Sequence, residues 1–96
     1  MSNRFKTAII DDVTSRNIDN SLQDPLLDLF ESAMKSVATT LVREAKFDTT
    51  DFATAKRRGC EGFTLLVSRT RSDCREGWCG VFQRGDERLD VIGHLE

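Results

Sequence analysis

Cys60, Cys74, Cys79 and His94 are the residues of this 96-residue chain best suited to bind a metal or attack a substrate. Three thiols and an imidazole form a ligand set that tetrahedral zinc accepts. Four residues separate Cys74 from Cys79, as in a single ligand knuckle, but 13 separate Cys60 from Cys74 and cross a whole predicted strand. The competing reading makes Cys60 and Cys79 small buried residues and His94 a strand-end polar group. It is preferred, because hairpin parity sets Cys79 and His94 on opposite faces or near a frayed end. A Cys79 thiolate paired with His94 would be a nucleophile, yet the only histidine of the chain has no evident orienting partner. A Cys74–Cys79 disulfide fits the loop, but a reducing compartment argues against it. No cofactor is expected.

Asp11-Asp12 follows the apolar run of AIIDDV. These few residues resemble the acidic end of the first strand in response-regulator receiver domains, where carboxylates hold magnesium. The alternating strand–helix pattern of that family is missing, and a solvated strand end accounts for the pair. Basic side chains offer a different chemistry. Lys56, Arg57 and Arg58 cluster, Arg69 and Arg71 share a predicted strand face, Arg75 lies in a loop, and Arg84 and Arg88 flank a turn. Guanidinium groups grip phosphates bidentately, so these eight are the candidate nucleic-acid-binding residues. Asp73, Glu76, Asp86, Glu87 and Asp90 are interleaved with them and tyrosine is absent, which favours an ordinary mixed-charge surface.

The elements that must position these groups are led by a helix expected from Pro25 to about Lys46. Asp24 is its expected N-cap and Pro25 its first residue. Leu26, Leu29, Phe30, Ala33, Met34, Val37, Leu41 and Ala45 recur at three and four. Leu27, Ala38 and Val42 widen that arc, and Leu27, Met34, Ala38 and Val42 are the candidate protein-interface residues. Residues 4–13 are ambiguous between strand and helix and lean to strand because Thr7, Ile9, Ile10 and Val13 are β-branched. Asp48-Thr49-Thr50-Asp51 has the shape of a capping box, opening a short helix from Thr50 to Arg58 with Gly59 behind it.

After Gly62 the period changes to two. Strands are expected over Phe63–Arg71, Trp78–Arg84 and Arg88–His94. Gly85-Asp86 is a type II′ hairpin signal, which sets Arg84 opposite Glu87, Phe82 opposite Leu89 and Trp78 opposite Gly93. The expected fold is α+β, of order β-α-α-β-β-β: one long and one short helix on one face of a three- to four-stranded antiparallel sheet. It forms a single small domain over 1–96, with 1–3 and 95–96 frayed.

Composition bounds the function. Net charge is −2, from 14 basic and 16 acidic residues. That is too little positive field to hold nucleic acid by charge alone. Residues 1–13 carry charges without a long apolar run, and no stretch approaches the ~20 apolar residues of a membrane span. A cytoplasmic protein with reduced cysteines and no membrane partner is therefore expected. The predicted order of elements resembles the RelE/ParE-type toxins, and VFQRGDERLDVIGH is similar to their last hairpin. That resemblance implies an nucleic-acid- or gyrase-directed protein, though their catalytic basic and tyrosine residues have no counterparts here. The leading expectation is a non-enzymatic protein-binding or regulatory protein of inhibitor or adaptor type, such as phages and mobile elements carry. It would meet a protein partner or itself, as a homodimer. The toxin-like reading stands second and a small structural zinc domain third.

Overall fold

The computed structural model describes residues 5–38, 43–52, 59–69 and 77–95. The chain runs β1 (Phe5–Ile10), a 3₁₀ turn (Asn20–Leu22), α1 (Gln23–Ala38), β2 (Glu44–Asp48), α2 (Thr49–Phe52), β3 (Thr64–Ser68), β4 (Gly77–Arg84) and β5 (Glu87–Leu95). All five strands form one antiparallel sheet in the order β1-β5-β4-β3-β2. The class is α+β, with one substantial helix on a five-stranded sheet.

The helix starts earlier than its proline suggests. Asp19 is the cap, its Oδ1 accepting from the Ser21 N–H at 2.9 Å, and the 3₁₀ turn leads directly into α1. That bond to the Ser21 backbone, aided by the Ser21 side chain, holds the Asp19 carboxyl below the usual carboxylate range. Pro25 sits in the first turn, where its missing N–H would have had no partner. Leu26, Leu29, Phe30, Ala33, Met34 and Val37 are buried, a stripe at the spacing of one helix face.

The expected helix does not reach Lys46: α1 is Gln23–Ala38, and Glu44–Lys46 belong to the strand β2. In β2 the side chains alternate, with Ala45 and Phe47 half-buried and Glu44, Lys46 and Asp48 exposed. Ala45 pairs with Val67 and Phe47 with Leu65, so β2 extends the sheet by one strand. The expected short helix begins as α2, with the Asp48 Oδ1 accepting from the Thr50 N–H at 2.8 Å. The remainder of that prediction lies outside the described residues.

The hairpin follows its predicted register at every pair, from Arg84↔Glu87 to Trp78↔Gly93. Gly85 has φ 61° while Asp86 does not enter the positive-φ region, which is the type II′ pattern. The inner face carries Leu65, Val67, Trp78, Phe82, Leu89 and Val91, all buried beneath α1. Gly80 and Gly93 open the room that the Phe30 ring and the Met34 side chain fill. Burying each large apolar side chain contributes about 1.5–3 kcal/mol, so this layer dominates stability. Thr49 joins β2 to the chain before β3. Its hydroxyl lies 2.6 Å from the Cys60 carbonyl and 3.0 Å from that of Phe63. Among the described residues, no helix is long and apolar enough to cross a membrane.

Candidate functional site

The helix covers one face of the sheet, and among the described residues no helix covers the other. Register places its side chains in rows, since residues paired across strands point the same way. One row is Lys46, Leu66, Val81 and Asp90; the next is Asp48, Thr64, Gln83 and Arg88. A third runs Glu44, Ser68, Cys79, Ile92 and Ile9. Leu66 and Val81 are half-buried at the centre, at the floor of an open groove of about 570 Å³ that Lys46, Asp48, Gln83 and Arg88 also line. Ile9 is 54% exposed toward the β1 edge.

Charge on this face is paired along strands. Arg88 donates to both Asp90 oxygens, at 2.7 and 3.1 Å, which raises the Arg88 pKa. The bonded carboxylate is nearly enclosed, whereas the Arg88 side chain keeps 39% exposure. Beside them the chain after β1 bulges. The Asp11 N–H donates to the Asp90 carbonyl, the Asp90 N–H donates to Ser15 Oγ, and Arg16 rejoins β5 by exchanging two 2.8 Å bonds with Arg88. Asp11 builds this bulge: its Oδ1 accepts from the Val13 N–H at 3.1 Å, and its carbonyl accepts from the Ser15 hydroxyl at 2.8 Å. The pair Asp11-Asp12 thus belongs to a turn whose tip is Val13, 90% exposed.

Among the described residues, the candidates Arg69, Arg84 and Arg88 do not converge. Arg69 lies over the Trp78 ring, 5.2 Å from its centroid, at one end of the inner face. Arg84 lies over Phe63 at 4.1 Å, on the same face at the other end. Trp78 and Arg84 are six residue steps apart along β4, about 20 Å. Arg88 points to the opposite face. Arg84 is also fully engaged, with bonds to both Glu87 oxygens and with Nη1 2.8 Å from the carbonyls of Gly59 and Glu61. The hydrogen bond to Glu87 raises the Arg84 pKa and lowers that of Glu87. Arg84 therefore clamps the chain before β3 onto the hairpin. Lys56, Arg57, Arg58, Arg71 and Arg75 lie outside the described residues.

The metal candidates fare similarly. Cys79 is disulfide-bonded, which removes its thiolate from a ligand set and corrects the expectation of reduced cysteines. Cys60 is a buried cysteine that forms no disulfide. Gly77 pairs with His94 and Cys79 with Ile92, so positions 79 and 94 share a face, contrary to the expected parity. Cys74 lies outside the described residues, and among those described no three His, Cys, Asp or Glu side chains gather as a metal would require. Of the candidate interface residues on the helix, Met34 is fully buried against Gly93 and Leu27 is half-buried against the core. Ala38 ends α1, and Val42 lies outside the described residues.

The helix-free face was not singled out by sequence, although alternation in Thr64–Ser68 and Val81–Gln83 carried its signal. Comparison with protein-family models, curated proteins and solved structures finds no match to this chain.

Proposed function

We propose that this chain is a non-enzymatic protein-binding or regulatory protein, of inhibitor or adaptor type, that acts through the open face of its sheet. The observation that carries this reading is the groove floored by Leu66 and Val81 and rimmed by Lys46, Asp48, Gln83 and Arg88. An apolar centre with a charged, hydrogen-bonding rim is the anatomy of a protein interface. The nucleic-acid alternative draws no comparable support from the described residues, because Arg84 is engaged, Arg88 is held by Asp90, and the two face opposite ways.

The test replaces Leu66 with Glu, which puts a charge on the groove floor without entering the core beneath α1. Light scattering on the purified protein, and stoichiometric capture from extracts of the source cells, are compared for the two forms. The expected result is an assembly, with itself or another protein, that the wild type forms and Leu66→Glu loses at an unchanged melting temperature. Assemblies equally retained by the variant, or none with either form, would overturn the reading.

A further inference from the structure

We infer that the occupant of the open face is a second copy of this chain, packed face to face about a twofold axis parallel to the strands. The inference rests on the protein-binding reading above and gives it a partner. A twofold interface must be complementary to itself, and the two groove rows have that property. With the axis between β3 and β4, β2 of one copy lies over β5 of the other and β3 over β4. The row Lys46, Leu66, Val81, Asp90 then meets its own reverse: Lys46 faces Asp90 of the other copy, and Leu66 faces Val81. The row Asp48, Thr64, Gln83, Arg88 does the same, with Asp48 facing Arg88 and Thr64 facing Gln83. Each cation meets an anion, each apolar residue an apolar one, and each neutral polar residue another.

The alternative twofold, in the same plane but perpendicular to the strands, sets Leu66 on Thr64 and Val81 on Gln83. It loses the apolar match, and moving that axis onto the first row restores the match only by setting Lys46 on Lys46 and Asp90 on Asp90, so the axis along the strands is selected. Arg88 and Asp90 are already bonded within one copy, and the approach of Asp48 and Lys46 from the other extends that pair into an alternating row of four charges. Arg88, with 39% of its side chain exposed, offers Asp48 the more accessible contact. Aligned sheets cross at about −30°, which displaces the outer strands by about 4 Å, within reach of lysine and arginine side chains. The two longer dimensions of the molecule are 34 and 30 Å, a face broad enough for a standard interface of ~800 Å² per partner.

The test is sedimentation velocity over a concentration series, at low and high salt, on the wild type, Lys46→Glu, the Lys46→Glu/Asp48→Lys double variant and Leu66→Glu. The double variant keeps net charge but sets like charges opposite each other at both pairs. Lys46→Glu alone leaves the Asp48 bond to Thr50 intact. The expected result is a wild-type dimer whose dissociation midpoint rises at least about 10-fold in Lys46→Glu and further in the double variant. High salt should shrink both effects, and Leu66→Glu should be monomeric. A wild-type monomer throughout would overturn the inference, yet a Leu66-dependent complex with another protein would leave the proposed function standing. A dimer indifferent to all three variants would also overturn it, since the contact would then lie elsewhere.

Discussion

Gly80→Ala tests the packing of helix on sheet most sharply. A Cβ at position 80 would lie 2.5 and 2.6 Å from two Phe30 ring carbons and 3.1 Å from a Val91 methyl. Phe30 cannot slide away along the sheet, because its ring also closes to within 2.9 Å of the corresponding point at Gly93. Overpacking of this kind costs about 1–3 kcal/mol. Replacing glycine by alanine returns about 0.4–1 kcal/mol by restricting the unfolded chain. The net expectation is a loss of about 1–2 kcal/mol, or roughly 5–15 °C in Tm for a domain of this size. Urea unfolding should show a lower midpoint at unchanged slope. Phe30→Leu removes the obstructing ring, so in its background Gly80→Ala should become near neutral, a coupling of about 1 kcal/mol or more. Gly62→Ala is the control. Its Cβ would meet only the Arg84 Cδ at 3.5 Å, but φ is 85°, so its cost is backbone strain that Phe30→Leu leaves unchanged. A neutral or stabilising Gly80→Ala, or additive costs with Phe30→Leu, would refute the packing account.

Two further outcomes follow from the same contacts. Because the Arg84 hydrogen bond depresses the Glu87 pKa, this carboxylate contributes stability that is present at neutral pH. That contribution is lost as pH falls through the folded value. Melting temperatures of the wild type and Glu87→Gln should therefore differ at pH 7 and converge on acidification, while a gap independent of pH would refute the assignment. In thiol labelling without reductant, Cys60 should react slowly when folded and quickly on unfolding, and Cys79 should react only once reductant is added. Rapid labelling of Cys79 in oxidised protein would contradict its disulfide.

The β4–β5 hairpin was legible because a two-residue turn fixes register locally, and Gly85-Asp86 names the turn type. The first four turns of α1 were legible from their apolar stripe. The strand Glu44–Asp48 was not, because Ala45 continues the three-and-four spacing of Val37 and Leu41 while Ala45 and Phe47 equally satisfy a period of two. Pairing of Ala45 with Val67 and of Phe47 with Leu65, 22 and 18 residues on, decides between them, and that is tertiary information. Asp19 was missed as the cap because the 3₁₀ turn lengthens the helix start beyond Asp24. The arginines read as one patch along the chain. Strand alternation sends Arg88 to one face and Arg69 and Arg84 to the other, and only the assembled sheet shows Arg84 reaching the Gly59 and Glu61 carbonyls.

The central claim is that this protein meets a second copy of itself across the open sheet face. Methyl-labelled NMR on the purified protein, from dilute to concentrated, reads that face directly. The account predicts that the methyl signals of Leu66, Val81 and Ile92 shift or broaden with concentration, while those of Leu22 and Leu27 stay fixed. Shifts confined to Leu22 and Leu27, or none at any concentration, would contradict it.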